Sequence, residues 1–271
     1  MPIPFCKFHG FGNDYIVVEY ASMPQDVSAG ELAAAMCERN TGVGADGVAI
    51  LRGLDETDAD YFCEIVNPDG SIAGFSGNGT RCAVAYLHYK GIWGEPRLRL
   101  RTLSGIKNYD LVERRAEGEF WFEAEIGKPV FGAVDRPIAL TSGELLLSTV
   151  DVGNPVACIY VDDLDLDWRF LGRQIESHEW FPDRTNVVFI RPIDRANVEV
   201  RIWERGAGET SSSGTCSAAA AVMSAYRNFT DRDVAVHAPG GVTRIVWRGD
   251  DEMIITGRAD LAFCGEWPHP E

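Results

Sequence analysis

Two stretches of this 271-residue chain bring small polar residues to a helix start, where an anion can be held. The first runs from Asn67 to Tyr86. It leaves a strand (61–66), turns through Pro68-Asp69-Gly70, and enters a helix of small residues behind Ser76-Gly77-Asn78. The second runs from Glu204 to Val222. It leaves an alternating strand (198–203), bends through Gly206 and Gly208, and enters an alanine-rich helix behind Ser213-Gly214-Thr215. Serine directly before a helical run supplies the N-cap oxygen. The first backbone N–H groups of a helix have no intrahelical acceptor, so such a head attracts carboxylates and other anions.

The two devices are spaced alike. Ser76 follows Asn67 by nine residues and Ser213 follows Glu204 by nine, and the serines are 137 positions apart. Asn13, in Gly12-Asn13-Asp14, and Asn154, in Gly153-Asn154-Pro155, each precede a strand and lie 141 positions apart. Near-equal offsets predict two halves built on one plan, facing each other across one site. Residues 1–125 form the expected first half, completed by the tail from about 258 to 271, and residues 126–257 the second.

Around these devices the chain reads as strands on both sides of Gly10-Phe11-Gly12, a helix opened by the capping box Ser28–Glu31, and strands near 48–51, 98–102, 109–112 and 119–125. Gly42-Val-Gly-Ala-Asp-Gly47 spells a dinucleotide-binding glycine motif but precedes a strand instead of opening a helix, so it reads as a tight turn. Pro129 and Gly132 mark the crossing between halves. The second half is expected to carry strands near 145–152, 159–161, 186–190 and 198–203. Leu164, Trp168, Leu171 and Ile175 fall at helical spacing, which predicts an amphipathic helix over 165–177 with that stripe toward the core, and three short strands near 234–237, 242–247 and 253–256 close the chain. Strands outnumber helices without regular alternation, which is α+β: mainly antiparallel or mixed sheet wrapped on a few helices.

A hydrophobic fraction of 45% with 24% charged residues is that of a globular protein, and the net charge of −16 excludes a phosphate-backbone partner. Neither a leader nor a bilayer-length apolar run is present, which points to a cytoplasmic protein with no membrane partner. The seven cysteines, at 6, 37, 63, 82, 158, 216 and 264, are scattered without a C-x-x-C and read as reduced, mostly buried thiols. No histidine, cysteine or carboxylate cluster has metal-ligand spacing, so no metal is expected.

Lys7-Phe-His-Gly-Phe-Gly-Asn-Asp14, Asn40-Thr-Gly-Val-Gly-Ala-Asp-Gly47, Asn67-Pro-Asp-Gly-Ser71, Ser76-Gly-Asn-Gly-Thr-Arg-Cys82, Gly153-Asn-Pro155 and Glu204-Arg-Gly-Ala-Gly-Glu-Thr210 stand in family order over nearly the whole chain and together resemble diaminopimelate epimerase. The resemblance implies two similar halves, each a barrel-like mixed sheet around a central helix, with the site in the cleft between. It also implies cofactor-independent inversion of ll-diaminopimelate to the meso form, in lysine and peptidoglycan synthesis, and a homodimer. In the family two cysteines act from opposite faces of the α-carbon, one removing a proton and the other returning one. Ser76 and Ser213 stand at those positions. The N–H groups of Gly77, Asn78, Gly214 and Thr215 are placed to hold the substrate α-carboxylate. Asn13, Asn67, Asn154, Asn186, Glu204 and Arg205 match substrate-binding residues, and Asn67, Asn186, Glu204 and Arg205 match those that grip the distal groups.

The departures matter chemically. A thiol titrates near about 8.5 and is readily tuned, whereas a hydroxyl is a far weaker acid that needs a neighbouring base. Val156 stands where histidine follows the family's Gly-Asn-Pro, and Gly47 where glutamine is common. Serine at both positions marks either a natural variant or a cysteine-to-serine form, and the drifted Ser211-Ser212-Ser213 loop favours divergence. Two further readings follow. One is an isomerase of this fold that moves the proton with a carboxylate such as Glu204 or Asp46, as relatives in phenazine synthesis do without the cysteine pair. The other is a non-catalytic amino-acid binder. The sequence argues against a serine hydrolase, because neither serine lies in a G-x-S-x-G elbow or has a His/Asp partner pattern. Cys82 and Cys216, each near one serine, are the candidate substitutes for the missing thiols.

Overall fold

The computed structural model describes residues 2–268 and divides into two compact units, Met1–Ala124 with Gly257–Glu271, and Glu125–Thr256. Residues 269–271 of the expected tail lie outside the described residues.

The first unit contains β1 (Ile3–Gly10), β2 (Asn13–Glu19), α1 (Ala29–Cys37), β3 (Gly47–Gly53), β4 (Tyr61–Val66), β5 (Ile72–Ala73), α2 (Gly77–Tyr89), β6 (Arg97–Thr102), β7 (Gly105–Ala116) and β8 (Glu119–Glu125). The second contains β9 (Val130–Phe131), β10 (Arg136–Leu140), β11 (Gly143–Asp151), β12 (Pro155–Tyr160), α3 (Trp168–Glu176), β13 (Asn186–Asp194), β14 (Asn197–Glu204), β15 (Gly208–Thr210), α4 (Gly214–Tyr226), β16 (Asp233–Ala238) and β17 (Gly241–Trp247). The last strand, β18 (Met253–Trp267), pairs with β17 through Thr256 and with β1 from Asp260 onward.

Both units repeat one series of pairings. β1/β2 is antiparallel, β2/β3 parallel, β3/β4 antiparallel, β4/β6 parallel and β6/β7 antiparallel. The series β11/β12, β12/β13, β13/β14, β14/β16 and β16/β17 has the same signs in the same order. In the first unit β8 pairs with β18, which returns to β1 and closes an eight-stranded mixed barrel.

The central helices explain the barrel. In α2 every residue from Asn78 to His88 is buried, and in α4 every residue from Thr215 to Ser224. A helix buried on all sides has no polar stripe, and α4 meets this demand with Ala218-Ala219-Ala220-Ala221, whose small side chains let strands close around it. α1 and α3 instead cover outer faces. Leu32, Ala33 and Met36 of α1 pack on Ile16, Val18, Val48 and Ile50, while Trp168 and Ile175 of α3 pack on Ile159, Val187 and Phe189. Strands caught between an outer and a central helix are buried on both faces, so β2, β3, β12 and β13 read as unbroken apolar runs. β8 and β14, covered on one face, alternate.

Three expectations are corrected. Cys6 and Cys264 form a disulfide: they lie opposite each other in the β1/β18 register, 258 residues apart in sequence, and the strand pairing brings their α-carbons to 4.0 Å. The other five cysteines are free and buried. The closing strand runs to Trp267 instead of ending near 256, with inward residues Met253, Ile255, Gly257 and Ala259 continuing its alternation. β10 falls between Gly132 and the strand expected near 145–152, a stretch in which the sequence predicts no element. Its Pro137 and single buried residue, Ile138, suit an edge strand that sequence periodicity does not reveal.

The β1/β2 connection is a two-residue turn with Phe11 at φ 56° and Gly12 at φ 87°, the two positive values of a type I′ hairpin. Phe11 is a strained choice there. Its ring is buried against Trp121 and lies under the guanidinium groups of Arg81 and Arg258. Just beyond, Asp14 and Asp46 exchange backbone hydrogen bonds: the Asp14 N–H donates to Asp46 Oδ2 at 3.0 Å and the Asp46 N–H to Asp14 Oδ1 at 2.9 Å. Lys7 reaches Asp14 at 2.7 Å, and Arg39 reaches Asp14 at 3.3 Å and Asp46 at 2.6 Å. Burial pushes the Asp14 carboxyl up, but hydrogen bonds from Lys7 and Arg39 outweigh it and hold the group below its ordinary value. Asp46 moves the other way, because burial and the Asp14 charge both disfavour its ionised form.

Two outcomes follow. A depressed folded-state pKa contributes stability that is present above the unfolded pKa and lost as pH falls through the folded value. The stability of the parent chain over an Asp14→Asn variant should be about 2–3 kcal/mol at pH 6 and should shrink below about pH 3.9 in urea titrations; an advantage independent of pH would contradict the ion pairing. Alkylation of the denatured, unreduced protein should label five thiols and of the reduced protein seven, and seven before reduction would contradict the Cys6–Cys264 bond.

Candidate functional site

Ser76 is the N-cap of α2. Its extended backbone (φ −136°, ψ 119°) lets Oγ turn back and accept the Gly79 N–H at 3.1 Å, while its carbonyl accepts the Thr80 N–H at 2.9 Å. The Tyr15 hydroxyl, from β2, lies 2.9 Å from the same Oγ. Asn78, in the first turn, is held at both ends of its amide: Nδ2 donates to Asn13 Oδ1 at 3.0 Å, and Oδ1 accepts from Arg81. Arg81 is buried one turn into the helix, and its Nε donates to the Arg258 carbonyl at 2.9 Å. Burial lowers the pKa of this guanidinium, yet an arginine stays charged at neutral pH. It adds to the positive end of the helix dipole, so the electrostatics at this head favour an anion although the chain as a whole is acidic.

Ser213 caps α4 with nearly the same backbone (φ −146°, ψ 125°). Its Oγ accepts the Cys216 N–H at 3.4 Å, and its carbonyl accepts the Ser217 N–H at 2.9 Å. Thr215 Oγ1 is 3.4 Å from Ser213 Oγ. Ser213 is 3% exposed and Thr215 6%, so this head is dry except where Gly214 is partly open.

The flanking residues divide by unit. Asn13, at the start of β2, donates from Nδ2 to Asp46 Oδ2 at 2.8 Å, which together with the bond from Asn78 leaves one amide N–H. Asn67 donates to Ser71 Oγ at 3.0 Å across a tight turn whose Gly70 has φ 81°. That turn lies on α1: a Cβ at Gly30 would come within 2.9 Å of the Gly70 carbonyl. In the second unit Asn154 is half-buried in the turn before β12. Buried Asn186, at the start of β13, accepts the Arg205 N–H at 2.9 Å. The exposed Arg205 side chain donates to the Asp183 carbonyl at 3.0 Å, and Glu204 ends β14 half-buried.

Two residues not singled out in the sequence hold these groups. Glu176, at the end of α3, is 4% exposed and accepts from Gly206 N–H at 2.7 Å, Trp203 Nε1 at 2.7 Å and Arg184 at 2.5 Å, fixing the turn that follows Glu204. Nothing in its neighbourhood in the sequence marks it. Tyr15 is 7% exposed and fills the space left by two glycines, since a Cβ at Gly47 would lie 2.7 Å and at Gly79 2.8 Å from its ring. The glycine at 47 was the available signal.

Cys82 and Cys216 are fully buried. Burial pushes the Cys82 thiol up to about 12 and the Cys216 thiol well above its usual range, so neither forms a thiolate readily at neutral pH. Asp46 spends Oδ2 on Asn13 and the Asp14 N–H and Oδ1 on Arg39, an anchoring role that leaves little capacity for a base. Among the described residues no helix is long and apolar enough to cross a membrane.

Comparison with known proteins bears on the family and the fold. The diaminopimelate epimerase family model matches residues 5–131 and 148–262. The diaminopimelate epimerase of Pelotomaculum thermopropionicum is 36% identical over 281 aligned positions, covering 98% of this chain and 99% of the relative. That of Rippkaea orientalis is 36% identical over 286 positions, covering 98% and 99%. Solved structures share the fold at low identity. A probable proline racemase from Agrobacterium radiobacter K84 has a TM-score of 0.77 at 16% identity, covering 99% of this chain and 93% of its own. A PhzF-family phenazine biosynthesis protein from Bacillus anthracis has a TM-score of 0.75 at 16% identity, covering 99% and 100%. With its two serine-capped central helices, the chain belongs to the diaminopimelate epimerase family and is an isomerase of the amino-acid racemase and epimerase class.

Proposed function

We propose that the chain inverts the α-carbon of ll-diaminopimelate by two-base proton transfer, with Ser76 serving one face and Ser213 the other. The observation that carries this reading is the duplication of one device: an extended serine N-cap whose hydroxyl oxygen accepts the third amide of a buried central helix. Relatives 36% identical over nearly the whole chain support the substrate.

The chemistry follows from the caps. Removing the α-proton sends an electron pair toward the α-carboxylate. The first-turn amides, at Gly77 and Asn78 and at Gly214 and Thr215, are the donors for that growing charge. A serine at an N-cap is also the hydroxyl best placed to tolerate negative charge, because the amide it accepts and the helix dipole both stabilise an alkoxide-like oxygen. Asn13, Asn67, Asn154, Asn186, Glu204 and Arg205 serve recognition in this reading, and Asn186 with Arg205 already form one hydrogen-bonded unit. The reaction takes no cofactor, and the same site in a homodimer or monomer performs the same steps.

The test is isotope exchange. Incubated with ll-diaminopimelate in D₂O, the protein should exchange the α-proton and accumulate the meso epimer, followed by NMR. The Ser76→Cys/Ser213→Cys variant should exchange at least about 100-fold faster, as general acid–base groups of suitable acidity contribute about 10²–10⁴-fold. Binding without exchange in both proteins would favour the amino-acid binder, and exchange unaffected by Ser76→Ala and Ser213→Ala would favour a carboxylate base.

A further inference from the structure

The two half-sites are not equivalent. In the first unit Tyr15 pairs with Gly47 across the parallel β2/β3 ladder, and in the second Val156 pairs with Asn186 across β12/β13. These pairs occupy the same place in the repeated topology. At this register position the first unit carries a phenol, which reaches its serine cap, and the second carries an aliphatic side chain. The phenol is not incidental. Gly47 and Gly79 both lack the Cβ that would collide with the ring, the first at 2.7 Å and the second at 2.8 Å from Tyr15 Cε1. The ring is thus seated between β3 and α2, and its hydroxyl reaches Ser76 Oγ at 2.9 Å. Ser213 has a threonine hydroxyl at 3.4 Å in the corresponding surroundings.

We propose that Tyr15 is a proton-relay and positioning residue for Ser76, an inference that rests on the two-base reading above. In the abstraction direction the Cα–H bond breaks, its proton forms a new O–H bond at Ser76 Oγ, and the electron pair stays on the substrate. The original hydroxyl proton of Ser76 passes along the 2.9 Å hydrogen bond to a Tyr15 phenolate, which becomes phenol. In the return direction Ser76 gives its proton to the α-carbon and takes one from Tyr15, which becomes phenolate. Ser76 ends each of these steps as a neutral hydroxyl, and the charge resides on a phenol, an intrinsically stronger acid than an aliphatic alcohol. Tyr15 makes no required contact with the substrate. Its work is done through Ser76, and it supplies that serine with the neighbouring base that a weakly acidic hydroxyl needs.

A double-variant cycle separates this role from simple packing. A thiol at position 76 titrates near about 8.5 and needs no relay. Tyr15→Phe, which keeps the buried ring, should therefore lower the exchange kcat on ll-diaminopimelate at least about 20-fold with Ser76 present, and less than about 3-fold in a Ser76→Cys background, with KM little changed in both. Equal losses in the two backgrounds, or a Ser76 chain indifferent to Tyr15→Phe, would overturn the relay. Exchange by Ser76→Cys/Ser213→Cys but none by the parent chain would also overturn it while leaving the family activity intact. Absence of exchange from every one of these proteins would instead overturn the two-base reading, and the relay with it.

Discussion

A helix enclosed by a ring of strands must do two things at once. It must be narrow enough for the strands to close, and the amides of its first turn must find acceptors. α2 and α4 meet the first demand with small residues and the second with a serine cap. Because the cap must sit where the helix leaves the barrel, a hydroxyl, several outward-pointing amides and a helix dipole converge at one spot in each unit. The fold thus places a serine hydroxyl at the positive end of a helix dipole in each unit as a by-product of solving its own packing problem. The polar shell around each head then sets its character. Asn13, Asn78 and Arg81 form a continuous hydrogen-bonded chain at the first head, while in the second unit Asn186 and Glu176 brace the turn that follows β14.

With serine at both caps, the chemistry open to each hydroxyl depends on its neighbours. A thiolate is available at neutral pH after modest tuning, whereas a hydroxyl depends on its neighbours. The free thiols nearby offer no substitute, since Cys82 and Cys216 are wholly enclosed and burial opposes their ionisation. What the first unit offers is a tyrosine in a slot made by two glycines. What the second offers is a drier, more enclosed serine with a threonine beside it. Two units of common topology thus differ in the hydroxyl that neighbours the serine cap.

Much of the fold was legible because it is repetitive and locally patterned. The equal spacing of Ser76 from Asn67 and of Ser213 from Glu204 exposed the duplication, and the alternation in β8 and β14 marked strands with a single covered face. The capping box at Ser28 and Glu31 forms as its spelling implies. Features set by long-range geometry were not legible. The Cys6–Cys264 bond depends on the register between strands from opposite ends of the chain. Pro137 hid β10, because an edge strand tolerates what a central strand does not. At the candidate site, serines before small-residue helices could be read as caps, and the family motifs pointed to their neighbours. Tyr15 left only an indirect signal, the glycine at 47, and Glu176 left none, since each matters through its contacts: Tyr15 with Gly47, Ser76 and Gly79, and Glu176 with Arg184, Trp203 and Gly206.

The central claim is that the serine-capped helix heads hold the α-carboxylate beside the hydroxyls that move the proton. A crystal structure of the protein with diaminopimelate bound tests it most directly. The account predicts carboxylate oxygens within hydrogen-bonding distance of the first-turn amides of α2 and α4, with Ser76 Oγ and Ser213 Oγ on opposite faces of the α-carbon. A ligand whose carboxylate is held elsewhere, or whose α-carbon meets only one serine or neither, would contradict it.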